Sequence, residues 1–156
     1  MKKYLWIAIV AILALWSGCS YNGMVRSAEG VTSQWANVET AYQRHADLIP
    51  NLVATVKGYA DFEQETLTAV IEARSKATQV QLNVDDLNPQ AIQKFQQAQG
   101  AVGSALSRLL VTIERYPELK ANQNFLELQA QLEGTENRIS VERKRYNDTV
   151  KRYNSR

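Results

Sequence analysis

A chain of 156 residues with 45% hydrophobic and 22% charged residues suits one compact domain, with no excess length for a second. Three prolines and seven glycines leave few breakers, and abundant Ala, Gln, Glu, Leu, Lys and Arg favour long helices, so no β-sheet is expected. The single cysteine, Cys19, excludes an internal disulfide, and the small formal net charge of +2 conceals an uneven distribution along the chain.

The N-terminal segment comes first. Lys2 and Lys3 precede an apolar block from Tyr4 to Trp16, and no further charge occurs before Arg26. Basic residues stay preferentially on the cytoplasmic side, so residues 1–19 read as a membrane anchor or lipoprotein signal segment and residues 20–156 as an exported body. Two forms of anchor remain open. A 13-residue block has the length of a signal-peptide core, and Ser17-Gly18-Cys19 resembles a processing site that would leave Cys19 lipidated. Against this, Trp16 stands where such sites usually carry leucine, and the uncharged stretch from Tyr4 to Val25 is long enough to span uncleaved.

Helical periodicity follows throughout. Met24, Ala28, Val31, Trp35, Val38 and Tyr42 alternate steps of four and three, the stripe of a first helix. Pro50 suits the first turn of a helix better than an interior, so a break is expected just before it, with a second helix running to about Leu82. The first stripe also continues in phase through His45, Ile49 and Leu52, which leaves one kinked helix across Pro50 as the alternative. A third helix is predicted from Pro89, with Ile92, Phe95, Gln99, Val102, Leu106, Leu109 and Ile113 on its stripe until Tyr116-Pro117 stops it. A fourth carries Phe125, Leu128, Leu132, Ile139, Tyr146 and Tyr153, with Thr135 and Glu142 as polar interruptions at the same spacing. Four such stripes joined by short connections predict an all-α, antiparallel up-and-down four-helix bundle preceded by the apolar anchor.

These residues carry a resemblance that covers nearly the whole chain. Tyr21-Asn22 after an apolar N-terminus, Trp35, DLIPNLVATVKGYA from Asp47, YPELKANQNF from Tyr116, QLEGTENRI from Gln131 and Tyr146-Asn147 are similar to the LemA family. The resemblance implies a bacterial, membrane-anchored helical bundle facing outward, with no established enzymatic activity. Three departures stand out. The chain has Arg44-His45 where the family commonly has paired arginines and Phe62 where it commonly has histidine, and family members usually continue past Arg156 with a Phe-Pro-containing segment.

Chemistry-bearing patterns are sparse. Di-iron bundles need two Glu-x-x-His arrangements, and this chain has one histidine, His45. With Cys19 in the anchor the donors for zinc are too few, and there is no phosphate-cradling glycine loop or nucleophile elbow, so neither cofactor nor catalytic residue is expected. Glu133, Glu136 and Arg138 have the spacing of a solvated helix face or an inter-helix ion pair.

Charge is distributed in blocks. Residues 20–142 carry ten basic and fifteen acidic side chains, whereas residues 143–156 carry six basic and one acidic. An antiparallel fourth helix returns to the start of the first, which would put Lys144, Arg145, Tyr146, Lys151, Arg152 and Tyr153 at the membrane surface. The same cations suit the negative end of a helix dipole. Nucleic acid is a poor partner for an exported body that is acidic. The sequence therefore reads as a non-catalytic envelope scaffold that presents its far tip, Asp47, Asn51, Tyr116, Asn122 and Asn124, to another envelope protein. An accessory subunit of a membrane transporter or protease complex is the alternative.

Overall fold

A computed structural model describes residues 2–58, 63–80, 82 and 88–155 of the chain, with side chains from Gly23 onward. Helix α1 spans Lys2–Lys57, α2 Gln64–Gln79, α3 Pro89–Ile113, α4 Pro117–Lys120 and α5 Gln123–Asn154. No strand occurs among the described residues, as the composition led one to expect.

The predicted start of the third helix at Pro89 is observed, the fourth follows a short connection as expected, and each start has a local cause. Asn88 caps α3, its Oδ1 accepting from Ala91 N at 2.8 Å, and Pro89 occupies the first turn, where its missing N–H leaves nothing unpaired. Asn122 caps α5 in the same way, accepting from Phe125 N at 3.1 Å. Between them the chain turns at Tyr116, and Pro117 opens the one-turn α4, whose Leu119 is fully buried.

The expected break at Pro50 is not there. Helix α1 passes through Pro50 to Lys57, so the chain turns about eight residues later than the proline suggested, and the second helix starts at Gln64. A proline inside a helix frees the carbonyl four residues back, here Ala46 O. That oxygen accepts instead from Arg74 Nε on α2 at 2.8 Å. The donor that the proline removes is thus replaced by a side chain 28 residues away, and the replacement pins α2 against α1.

Helices α1 and α5 run antiparallel. Gly30 lies beside Thr149, and Gln34 Nε2 donates to Glu142 Oε2 at 2.8 Å, so rising numbers on α1 meet falling numbers on α5. Helix α2 packs back along the C-terminal part of α1 and against α3. All five helices among the described residues feed one core. Ile49, Leu52 and Val56 of α1 meet Leu67 and Val70 of α2, Leu109 and Ile113 of α3, Leu119 of α4 and Phe125 of α5. A smaller aromatic cluster, Trp35, Val38, Leu82 and Phe95, lies nearer the start of the described α1. An Arg115 Nη2 to Glu63 Oε1 pair at 2.8 Å joins the start of α2 to the end of α3.

The interruption at Glu142 has a partner set. Its side chain is buried between α1 and α5, where Gln34 donates to one oxygen and Arg145 Nη1 to the other at 3.0 Å, with Arg138 Nε at 3.8 Å. Both arginines are more than half exposed, so the carboxylate is compensated at the rim of the interface.

Among the described residues no helix is long and apolar enough to cross a membrane. The proposed anchor, residues 1–19 with Cys19, lies outside the residues whose side chains are described.

Candidate functional site

Helices α3 and α5 both pack on the rest of the body but leave a cleft of about 660 Å³ between them. The floor comes from α1. His45 and Tyr42 rise between the two walls because they continue the apolar stripe of α1, four and three residues from Ile49 and His45 respectively. Gln99, Gly100 and Gly103 form the α3 wall, and Glu136, Ser140 and Arg143 the α5 wall. A Cβ built on Gly100 or on Gly103 would meet nothing within 4 Å. Glycine in a helix interior costs about 1 kcal/mol relative to alanine, and neither position has a close-packing reason for it.

His45 is 5% exposed, and it makes no hydrogen bond among the described residues. Burial lowers its pKa from the ordinary 6.5, while the nearby Glu136 carboxylate pulls the other way. The imidazole therefore stands neutral above that range. Ser140 lines the same cleft. Burial raises the Tyr42 hydroxyl pKa, and the Arg143 guanidinium, which donates a hydrogen bond to that hydroxyl, works against the rise.

Beyond Arg143 the cleft continues into an apolar pocket of about 340 Å³. Tyr42, Gln96, Arg143 and Asn147 line both parts. Trp35 forms the base of the apolar part, with ring centroids 5.4 Å from Phe95 and 5.1 Å from Tyr146, both edge-on. Its Nε1–H is buried and has no acceptor among the described residues. The Tyr146 hydroxyl pKa is also raised by burial.

A pH dependence follows from His45. The unfolded chain protonates it near 6.5 and the folded chain only at lower pH, so the unfolded state binds more protons in between. Stability is expected to be complete above about 6.5 and to decline as pH falls through the window below it. Urea unfolding of the wild type and of His45→Asn at pH 7.5 and 5.5 checks this: the variant should lose less stability on acidification. Because His45 is the chain's one histidine, the difference isolates its contribution from that of the carboxylates.

Of the tip residues read from the sequence, Tyr116, Asn122 and Asn124 lie in the segment joining α3, α4 and α5, whereas Asp47 and Asn51 lie within α1. Asp47 lies on the exposed side of α1 and lines a cleft with Ala77 and Thr78 of α2, and Asn51 follows it one turn on. Tyr116 is half-buried against the main core, Asn122 is engaged as the cap of α5, and Asn124 is exposed. The Glu63–Arg115 pair lies at the same end as Tyr116, beyond the point that Asp47 and Asn51 reach on α1. The basic residues fare differently. Lys144, Lys151, Arg152 and Tyr153 are exposed along the end of α5 beside the first described turns of α1, whereas Arg145 holds buried Glu142 and Tyr146 packs on Trp35. Sequence reasoning did not single out the cleft. Its available signals were Gln99 on an otherwise apolar stripe and two unexplained helix-interior glycines.

The body is thus an all-helical unit with an open, mixed polar and apolar cleft, and with no three His, Cys, Asp or Glu side chains among the described residues placed to hold a metal ion. The chain belongs to the LemA family, whose family model matches residues 34–156. It is similar to Protein LemA of Metamycoplasma hominis, 24% identical over 86% of this chain and 58% of that protein. It is also similar to Magnetosome protein MamQ 2 of Paramagnetospirillum magneticum, 25% identical over 95% of this chain and 59% of that protein. Magnetosome protein MamQ of Magnetospirillum gryphiswaldense is 24% identical over 86% of this chain and 56% of its own length. The chain therefore spans less than three fifths of the curated relatives it matches.

Proposed function

We propose that this chain is a membrane-anchored, non-catalytic interaction protein of the bacterial envelope, held by residues 1–19 with its body outside the cytoplasm. One observation supports the anchoring. Helix α1 runs unbroken from Lys2 to Lys57, so the segment that contains the Tyr4 to Trp16 apolar block continues directly into the core. A helix of 56 residues is about 84 Å long at 1.5 Å per residue, enough to join a bilayer to a folded body without a flexible linker. Lys2 and Lys3 set the orientation.

A reporter fused after Arg156 is expected to be active only outside the cytoplasm, and activity inside would overturn the orientation. Intact mass decides the form of the anchor: a lipid that is lost in Cys19→Ala marks a processed lipoprotein, and an N-terminus at Met1 marks a spanning helix.

The basic end of α5 fits this geometry. Exposed Lys151 and Arg152 near the start of the body would meet anionic headgroups, each contributing roughly 1 kcal/mol near a charged surface. Binding to anionic vesicles is expected to exceed binding to neutral ones and to weaken with salt. Lys144→Gln, Lys151→Gln and Arg152→Gln together should remove the preference without lowering thermal stability. Arg145 is left in place because it holds Glu142. Equal binding to both vesicle types at low salt would exclude the contact.

A further inference from the structure

We infer that the cleft between α3 and α5 receives the C-terminal end of a partner polypeptide whose last residue is large and apolar, with the terminal carboxylate on Arg143. The inference rests on the reading of the chain as an interaction protein and names the partner's chemistry.

Length supports it. From Pro89 to Gly103 the α3 wall rises about 21 Å. An extended peptide covers that distance in about six residues at ~3.3 Å each. The order of chemistry along the cleft supports it as well. The polar part offers Gln99, Ser140, Asn147 and a buried His45 that makes no hydrogen bond among the described residues, groups that donate to and accept from main-chain amides, beside the charged Glu136, Lys144 and Asp148. The open space over Gly100 and Gly103 leaves room for a backbone. The apolar part then takes one side chain, over Trp35 and Phe95.

Charge fixes the direction. Arg143 is the one charged side chain lining the apolar part, it stands where the two parts meet, and no carboxylate lies within 4 Å of it among the described residues. Guanidinium binds carboxylate in a fork geometry. A chain end presents a carboxylate and its own side chain from one carbon, which matches a cation at the mouth of an apolar pocket. An internal segment presents neither together. Capture of a C-terminal carboxylate is a recurrent mode of peptide recognition.

The test uses the full-length protein in phosphatidylcholine nanodiscs and fluorescence anisotropy of a labelled hexapeptide, Gly-Ser-Gly-Ser-Ala-Phe. The free acid should bind about tenfold or more tightly than its C-terminal amide, the change expected for one lost charge-assisted contact. Arg143→Gln should bring acid and amide to equal affinity, and Gly103→Leu, which fills the cleft without disturbing the core, should weaken both. Far-ultraviolet circular dichroism confirms that each variant is folded. Equal binding of acid and amide to the wild type overturns the inference, as does a preference that survives Arg143→Gln. So does 3-phenylpropionate binding as tightly as the hexapeptide, which would make the cleft a site for small apolar acids. A partner cross-linked to the body in cells while the peptides show no preference would defeat this inference alone and leave the interaction reading standing.

Discussion

Trp35→Ala is expected to destabilise the body by about 3–5 kcal/mol, the usual cost of emptying a buried aromatic site. Trp35 is 3% exposed and joins three elements, touching Phe95 of α3 and Tyr146 of α5 from its place on α1. Alanine would remove both edge-on ring contacts and open a void continuous with the apolar pocket. Trp35→Phe separates packing from polarity. It keeps one ring while deleting an Nε1–H that has no acceptor among the described residues, and an unpaired buried donor costs about 1–3 kcal/mol. The phenylalanine variant should therefore lose far less than the alanine variant. Urea unfolding followed by helical circular dichroism measures both, and equal losses would show that the indole N–H is compensated.

The second large effect concerns Pro50 and Arg74. Arg74→Met is expected to cost about 1.5–3 kcal/mol, the range for a hydrogen bond from a charged donor, because Ala46 O would be left without a partner. In a Pro50→Ala background the new amide supplies the missing intrahelical donor, so the same Arg74→Met change should cost clearly less. The double-mutant cycle reports this coupling directly. Additive losses would mean that Arg74 stabilises α2 by some route other than the carbonyl freed by the proline.

That pair also explains where sequence reasoning reached and where it stopped. Signals confined to a few neighbouring residues were sufficient at Pro89 and at Tyr116-Pro117, because a first-turn proline is satisfied locally. Pro50 carries the same local signal and gives a different outcome. Its freed carbonyl is answered from another helix, a fact that no window around residue 50 contains. The stripes were legible for the same local reason, from Phe95 through Ile113 above all, since burial follows the 3.6-residue period. Glu142 stood out as a polar residue on an apolar stripe, but Gln34, 108 residues away, is what accommodates it. The cleft was illegible because it arises from the separation of α3 and α5, which depends on α3 packing against α2 and α5 against α1. Moving the turn from Pro50 to the residues after Lys57 leaves Asp47 and Asn51 on the side of α1.

Site-specific photo-crosslinking in native cells tests the central claim, that this is an interaction protein, most directly. A benzoylphenylalanine in place of Gln99 faces the cleft, and one in place of Val111, which is 71% exposed, faces outward from α3. The account predicts a discrete higher-mass adduct from position 99 on irradiation and none from position 111. No adduct from position 99, or equal adducts from both positions, would contradict it.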